Sequence, residues 1–86
     1  MAEPDFHYVY ILVSIKHPDH HYTGCTTDLT ARLAKHNAGG VPHTAPHRPW
    51  RIETAISFRS KDKARAFETC LKSGSGREFA RRPFGA

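Results

Sequence analysis

Within "HYTGCTTDLTARLAKHN", residues 21 to 37, Arg32 and His36 stand one turn apart if the stretch after Asp28 is helical. An arginine offers a planar, permanently charged fork that matches phosphate oxygens. A histidine four residues on can accept or relay a proton near neutral pH. The pair fits either a solvated helix edge or the lining of a site that handles a phosphate ester. A second grouping, "HPDHH", sets His17, His20 and His21 beside Asp19. Imidazoles near an acid suit a transition metal. No cysteine joins them and their spacing follows no zinc pattern, so an exposed hairpin is the expectation. His7, His43 and His47 read as scattered.

The elements that must position these groups follow from pattern. "HYVYILVSI", residues 7–15, is aromatic and β-branched, which suits a central strand of a small sheet. "KHPDHH" is then a hairpin loop, and "HYTG" a short returning strand. Thr27 or Asp28 can cap a helix over 29–38, with Leu29 and Leu33 as its buried stripe and Gly39 as its left-handed stop. Residues 39–50, "GGVPHTAPHRPW", read as a long irregular loop. "WRIETAISF" alternates Trp50, Ile52, Thr54, Ile56 and Phe58 against wetter positions, a strand with one buried face. Ser60 caps a second helix, "KDKARAFETCLKS", on which Ala64, Phe67 and Leu71 form the apolar stripe. Gly74 ends it, and a tail carrying Arg77, Arg81 and Arg82 follows. Strand, strand, helix, strand, helix implies an α+β fold, a small sheet covered by helices.

At 86 residues there is room for one domain, residues 1–86, with a modest apolar core. Lys and Arg exceed Asp and Glu to leave a formal charge of +5, which favours a polyanionic partner without proving one. Cys25 and Cys70 lie far apart outside any C-x-x-C spacing, as expected of reduced thiols in a cytoplasmic protein. No apolar run is long enough to span a membrane, and "MAEPDF" does not read as a signal peptide.

Taken in order, "YVY" at residues 8–10, "YTG" at 22–24, the R-x-x-x-H-N of Arg32, His36 and Asn37, and the E-x-x-L-K of residues 68–72 resemble the GIY-YIG nuclease domain. The resemblance covers essentially the whole chain and is nearest to the small stand-alone bacterial members. It implies a three-stranded antiparallel sheet flanked by helices, and divalent-metal-dependent cleavage of DNA phosphodiesters with Mg²⁺ or Mn²⁺. Tyr10 and Tyr22 match the motif tyrosines, Arg32 and His36 the basic residues of the first helix, and Glu68 the metal-binding carboxylate. Tyr8 takes the place of the first-motif glycine and Thr23 that of the second-motif isoleucine. Many members carry an Asn after the carboxylate helix that helps hold phosphate; here that stretch has none, leaving Ser73, Ser75 or Arg77 to substitute. The loop with Thr44 and Arg48-Pro49 also resembles these nucleases, although Pro42-His43 departs from their basic-aromatic pair. Nucleic-acid contacts are expected from Lys35, Asn37, Thr44, Arg48, Arg51, Lys72 and Arg77.

Phosphodiester hydrolysis needs a water deprotonated and the extra charge of an in-line transition state held. One carboxylate is enough for Mg²⁺, which keeps several waters and takes other oxygens from substrate. A tyrosine of reference pKa about 10 acts as a base only where positive charge favours its phenolate. Tyr10 or Tyr22 is therefore the expected water activator, and the sequence does not choose between them. Nor does it choose DNA over RNA, or say whether a homodimer or another protein supplies specificity. Two other readings compete: a nucleic-acid-binding module that keeps the fold without catalysis, and a metal-storage protein built on the histidines. Lys61, Lys63 and Arg65 oppose the dipole at the start of the second helix, so phosphate contact or a solvated face accounts for them.

Overall fold

β1 (His7–Ser14) is the central strand of a three-stranded antiparallel sheet in the order β2-β1-β3, with β2 spanning His21–Thr26 and β3 Trp50–Phe58. The computed structural model describes residues 5–73; Gly74, Ser75, Arg77, Arg81 and Arg82 lie outside the described residues. Val9 through Ser14 are buried without a break, because a helix covers each face of the sheet. β2 runs two residues further than "HYTG", since Cys25 and Thr26 pair with Val9 and Tyr8.

Helix α1 (Leu29–Asn37) lays Leu29 and Leu33 against Tyr10, Leu12, Tyr22, Trp50 and Ile52. Helix α2 (Lys61–Lys72) lays Ala64, Phe67 and Leu71 against Val9, Ile11, Cys25 and Phe58. Alternate residues of β1 thus serve opposite cores, as strand geometry requires. Of the two candidate caps for α1, Asp28 does the work, accepting from the Ala31 amide at 3.0 Å. Ser60 accepts from the Lys63 amide at 3.2 Å and starts α2. Gly39, with φ of 83°, stops α1 where an L side chain would be strained and would collide with the Arg48 guanidinium.

The single buried face expected of β3 is not what forms. Ile11 pairs with Thr54 but Leu12 with Ile52, so Glu53 is an extra residue in the ladder. Such a bulge reverses which side chains face which layer. Trp50 and Ile52 consequently join the α1 core, while Ile56 stands opposite Val9 and Phe58 packs in the α2 core. The irregular loop is likewise more ordered than expected: Ala45–His47 form a short 3-10 helix, followed by a cis Arg48-Pro49 bond. Pro49 O then accepts from the Ile15 amide at 2.9 Å, tying the loop to the end of β1.

Candidate active site on the rim of the sheet

Tyr10 occupies a central-strand position on the α1 face, 2% exposed, opposite Gly24 of β2. A methyl group at Gly24 would run into the Tyr10 hydroxyl and Cζ, so glycine is what lets the phenol lie flat across β2. There the hydroxyl meets His36 Nε2 at 3.0 Å, and His36 Nδ1 meets Thr44 Oγ1 at 2.8 Å. Thr44 directs its one hydroxyl proton to Val41 O at 3.3 Å, so it accepts from His36. That fixes Nδ1–H as donor and leaves Nε2 to accept the Tyr10 proton. His36 and Thr44 are each 1% exposed, and the chain is closed to bulk water.

Burial pushes the Tyr10 phenol up to about 12, with Tyr22 and Glu68 adding to the shift and the nearby Arg32 guanidinium opposing it. Burial also lowers His36 below the ordinary histidine value, helped by Arg32 and Lys35, so its imidazole is neutral at pH 7. Tyr22 differs from Tyr10 in being half-buried, on the outer strand, with its ring 5.0 Å from that of His36 and 6.4 Å from that of Tyr10. Of the two phenols it is the one open to an incoming water. Arg32 lines the apolar cleft between α1 and the sheet together with Tyr10, Leu29 and Leu33.

Glu68 belongs to α2, on the other face, and comes to this group around the β2 edge. Its Oε2 lies 3.1 Å from Lys72 Nζ, and that ammonium sits 5.7 Å from the centre of the Tyr22 ring. The same carboxylate raises Cys25 on the α2 face, second to burial, and Tyr10 on the α1 face. Through Lys72 the carboxylate is thus linked to Tyr22 on the edge strand β2.

The remaining expected contacts divide. Lys72 is at the site; Lys35 and Arg48 are exposed at the end of α1 and in the following loop. Thr44 is buried, and Asn37, though exposed, has both ends of its amide engaged by the Trp50 backbone. Asn37 Oδ1 accepts from the Trp50 amide at 2.6 Å and its Nδ2 donates to Trp50 O at 3.0 Å, which clamps the start of β3. Arg51 stands on the α2 side of β3, away from Tyr22, because it alternates with Trp50 and Ile52. His47 is not scattered: its ring stacks on His20 at 4.0 Å, with His17 at 5.7 Å. The sequence ties neither Thr44 nor Gly24 to the tyrosine-histidine array, although a lone glycine between bulky strand residues is a signal for the second.

The donors fit a hard cation better than a soft one. Among the described residues no three His, Cys, Asp or Glu side chains converge on a point, which excludes a protein-built transition-metal cage there. A single half-buried carboxylate such as Glu68 is enough for a water-retaining ion such as Mg²⁺, which takes its other oxygens from water and substrate.

An antiparallel three-stranded sheet between two helices, with paired tyrosines, a helical Arg and His, and a carboxylate at one rim, defines a nuclease-type domain. The family model described as the GIY-YIG catalytic domain matches residues 6–81, and the chain belongs to that family. It is 38% identical over 73 residues to the UPF0213 protein BH0048 of Halalkalibacterium halodurans, covering 84% of this chain and 76% of that one. A solution NMR structure of UPF0213 protein BH0048 from Bacillus halodurans superposes with a TM-score of 0.55 at 34% identity, over 94% of this chain and 87% of that chain. With the UPF0213 protein Reut_B5558 of Cupriavidus pinatubonensis it shares 40% identity over 52 residues, 59% of this chain and 58% of the other. It is also 37% identical over 78 residues to the structure-specific endonuclease subunit SLX1 of Debaryomyces hansenii, covering 83% of this chain but only 22% of that subunit. No helix among the described residues is long and apolar enough to cross a membrane.

Proposed function

We propose that the protein is an endonuclease that hydrolyses DNA phosphodiester bonds with a divalent cation held by Glu68. The observation that supports this most is the gathering of two phenols, a neutral imidazole, a guanidinium and one carboxylate beside β2 from four elements, β1, β2, α1 and α2. Family membership and the likeness to an endonuclease subunit support the same reading.

In this scheme Arg32 holds a non-bridging phosphate oxygen through its paired N–H groups. Tyr22, acting as the phenolate that Lys72, Arg32 and the cation would favour, takes the proton of the attacking water, since of the two motif phenols it is the one that reaches solvent. Tyr10 donates to His36, which Thr44 holds from its other nitrogen, so the phenol is fixed beside Tyr22 and Arg32 and His36 is kept in one tautomer. Lys72 holds the Glu68 carboxylate in place. A bound divalent cation supplies charge neutralisation at the phosphoryl group and a more acidic water.

Incubation with plasmid and branched oligonucleotides, with Mg²⁺ or Mn²⁺ and in EDTA, tests this. Cleavage requires the metal, and Glu68→Gln and Tyr22→Phe each lower it by roughly 10² or more, as for loss of an acid-base or electrostatic group. Salt-sensitive binding without cleavage in any metal would make the protein a binding module instead.

A further inference from the structure

Beside Tyr22 lies a second depression, about 170 Å³, lined by His20, His21, Tyr22, His43, Thr44, His47 and Trp50. No carboxylate lines it. His43 lies 6.0 Å from the Tyr22 ring, so the same tyrosine walls both the rim site and this basin. The backbone around it is fixed by buried hydrogen bonds. Ser14 Oγ, 1% exposed, donates to His47 O at 2.7 Å and accepts from the His17 amide at 3.1 Å, locking hairpin and 3-10 helix together. Trp50 Nε1 donates to Thr44 O at 2.9 Å beneath them.

We propose that this imidazole basin is a phosphate subsite, taking a backbone phosphate of the nucleic acid adjacent to the one being cut. This rests on the nuclease reading and extends it. The His20 and His47 rings lie flat on one another, 17° apart at 4.0 Å, so their nitrogens run side by side rather than converging as metal ligands must. His47 Nδ1 is shut from solvent with no hydrogen-bond partner, a group that gains from a new one. Protonating two stacked imidazoles sets like charges against each other, and an anion bridging their edges offsets that repulsion. The charged and titratable groups facing His47 are His20, His17, His43 and, opposing them, Asp19; partial burial and the other imidazoles hold His47 below the ordinary histidine value. His21, also in the lining, lies 3.6 Å from Glu53. Binding therefore takes up protons.

The test is fluorescence anisotropy of a labelled oligonucleotide in EDTA, at pH 8 and pH 6 and fixed ionic strength, with folding checked by circular dichroism. Wild-type affinity should rise on acidification by up to about tenfold per pH unit for each proton taken up. His20→Gln/His47→Gln should lose most of that rise. Should the double variant not fold, histidine ring resonances of the wild type give the second measurement: two must titrate at higher pH with oligonucleotide present. An equal rise in the double variant, or ring resonances indifferent to oligonucleotide, overturns the subsite while leaving metal-dependent cleavage standing. No binding at either pH and no cleavage overturns both readings.

Discussion

Removing the Tyr10 hydroxyl separates its structural from its electrostatic contribution. In Tyr10→Phe the buried Nε2 of His36 loses its donor, and a buried acceptor left unpaired costs about 1–3 kcal/mol. The second effect depends on pH. The phenol is raised from 10.0 to about 12, so the folded protein keeps a proton that the unfolded chain releases between those values. Stability from this group is complete below pH 10 and falls as pH rises toward 12. At pH 11 the loss is about 1.4 kcal/mol, one unit of proton linkage, and about 2.7 kcal/mol well above pH 12. The variant has no such proton to lose. Urea unfolding followed through Trp50 fluorescence should therefore show a deficit for Tyr10→Phe at pH 8 that shrinks by about 1.4 kcal/mol at pH 11. A deficit of the same size at both pH values would refute the buried, neutral phenol.

Gly24→Ala forces Tyr10 off its hydrogen bond and should destabilise by about 1–3 kcal/mol in thermal melts, partly relieved by adding Tyr10→Phe. Asn37→Ala removes both hydrogen bonds that hold the Trp50 backbone and should cost about 1–3 kcal/mol with a red-shifted Trp50 emission. His36 is lowered from 6.5, so the unfolded chain binds the proton more readily; stability is full above pH 6.5 and declines on acidification. Guanidinium unfolding at pH 7.5 and pH 5.5 reads that decline, which His36→Gln should reduce.

Much of this was legible because it is local. Helix caps at Asp28 and Ser60, the stop at Gly39 and the core stripes of both helices depend on neighbours within a turn, and the structure has them where the pattern puts them. What failed depends on pairing across the sheet. The alternation of β3 is real, but Glu53 is an unpaired insertion that only the partner strand can define. The contacts of Asn37 with Trp50, Thr44 with His36 and His47 with His20 do not show in the sequence, because they are brought about by a loop whose path is not periodic. Tyr10, Tyr22, Arg32, His36 and Glu68 are gathered as the motif order anticipates; their roles are for the variants above to decide.

The extra residue at Glu53 also bears on how the molecule comes apart. A strand with one greasy face would belong to a single layer, and the other layer could loosen alone. Here one nine-residue ribbon anchors Trp50 beneath the first helix and Phe58 beneath the second. Peeling it away strips both at once, so amide protons in the two halves should exchange through a common opening despite the absence of a shared centre.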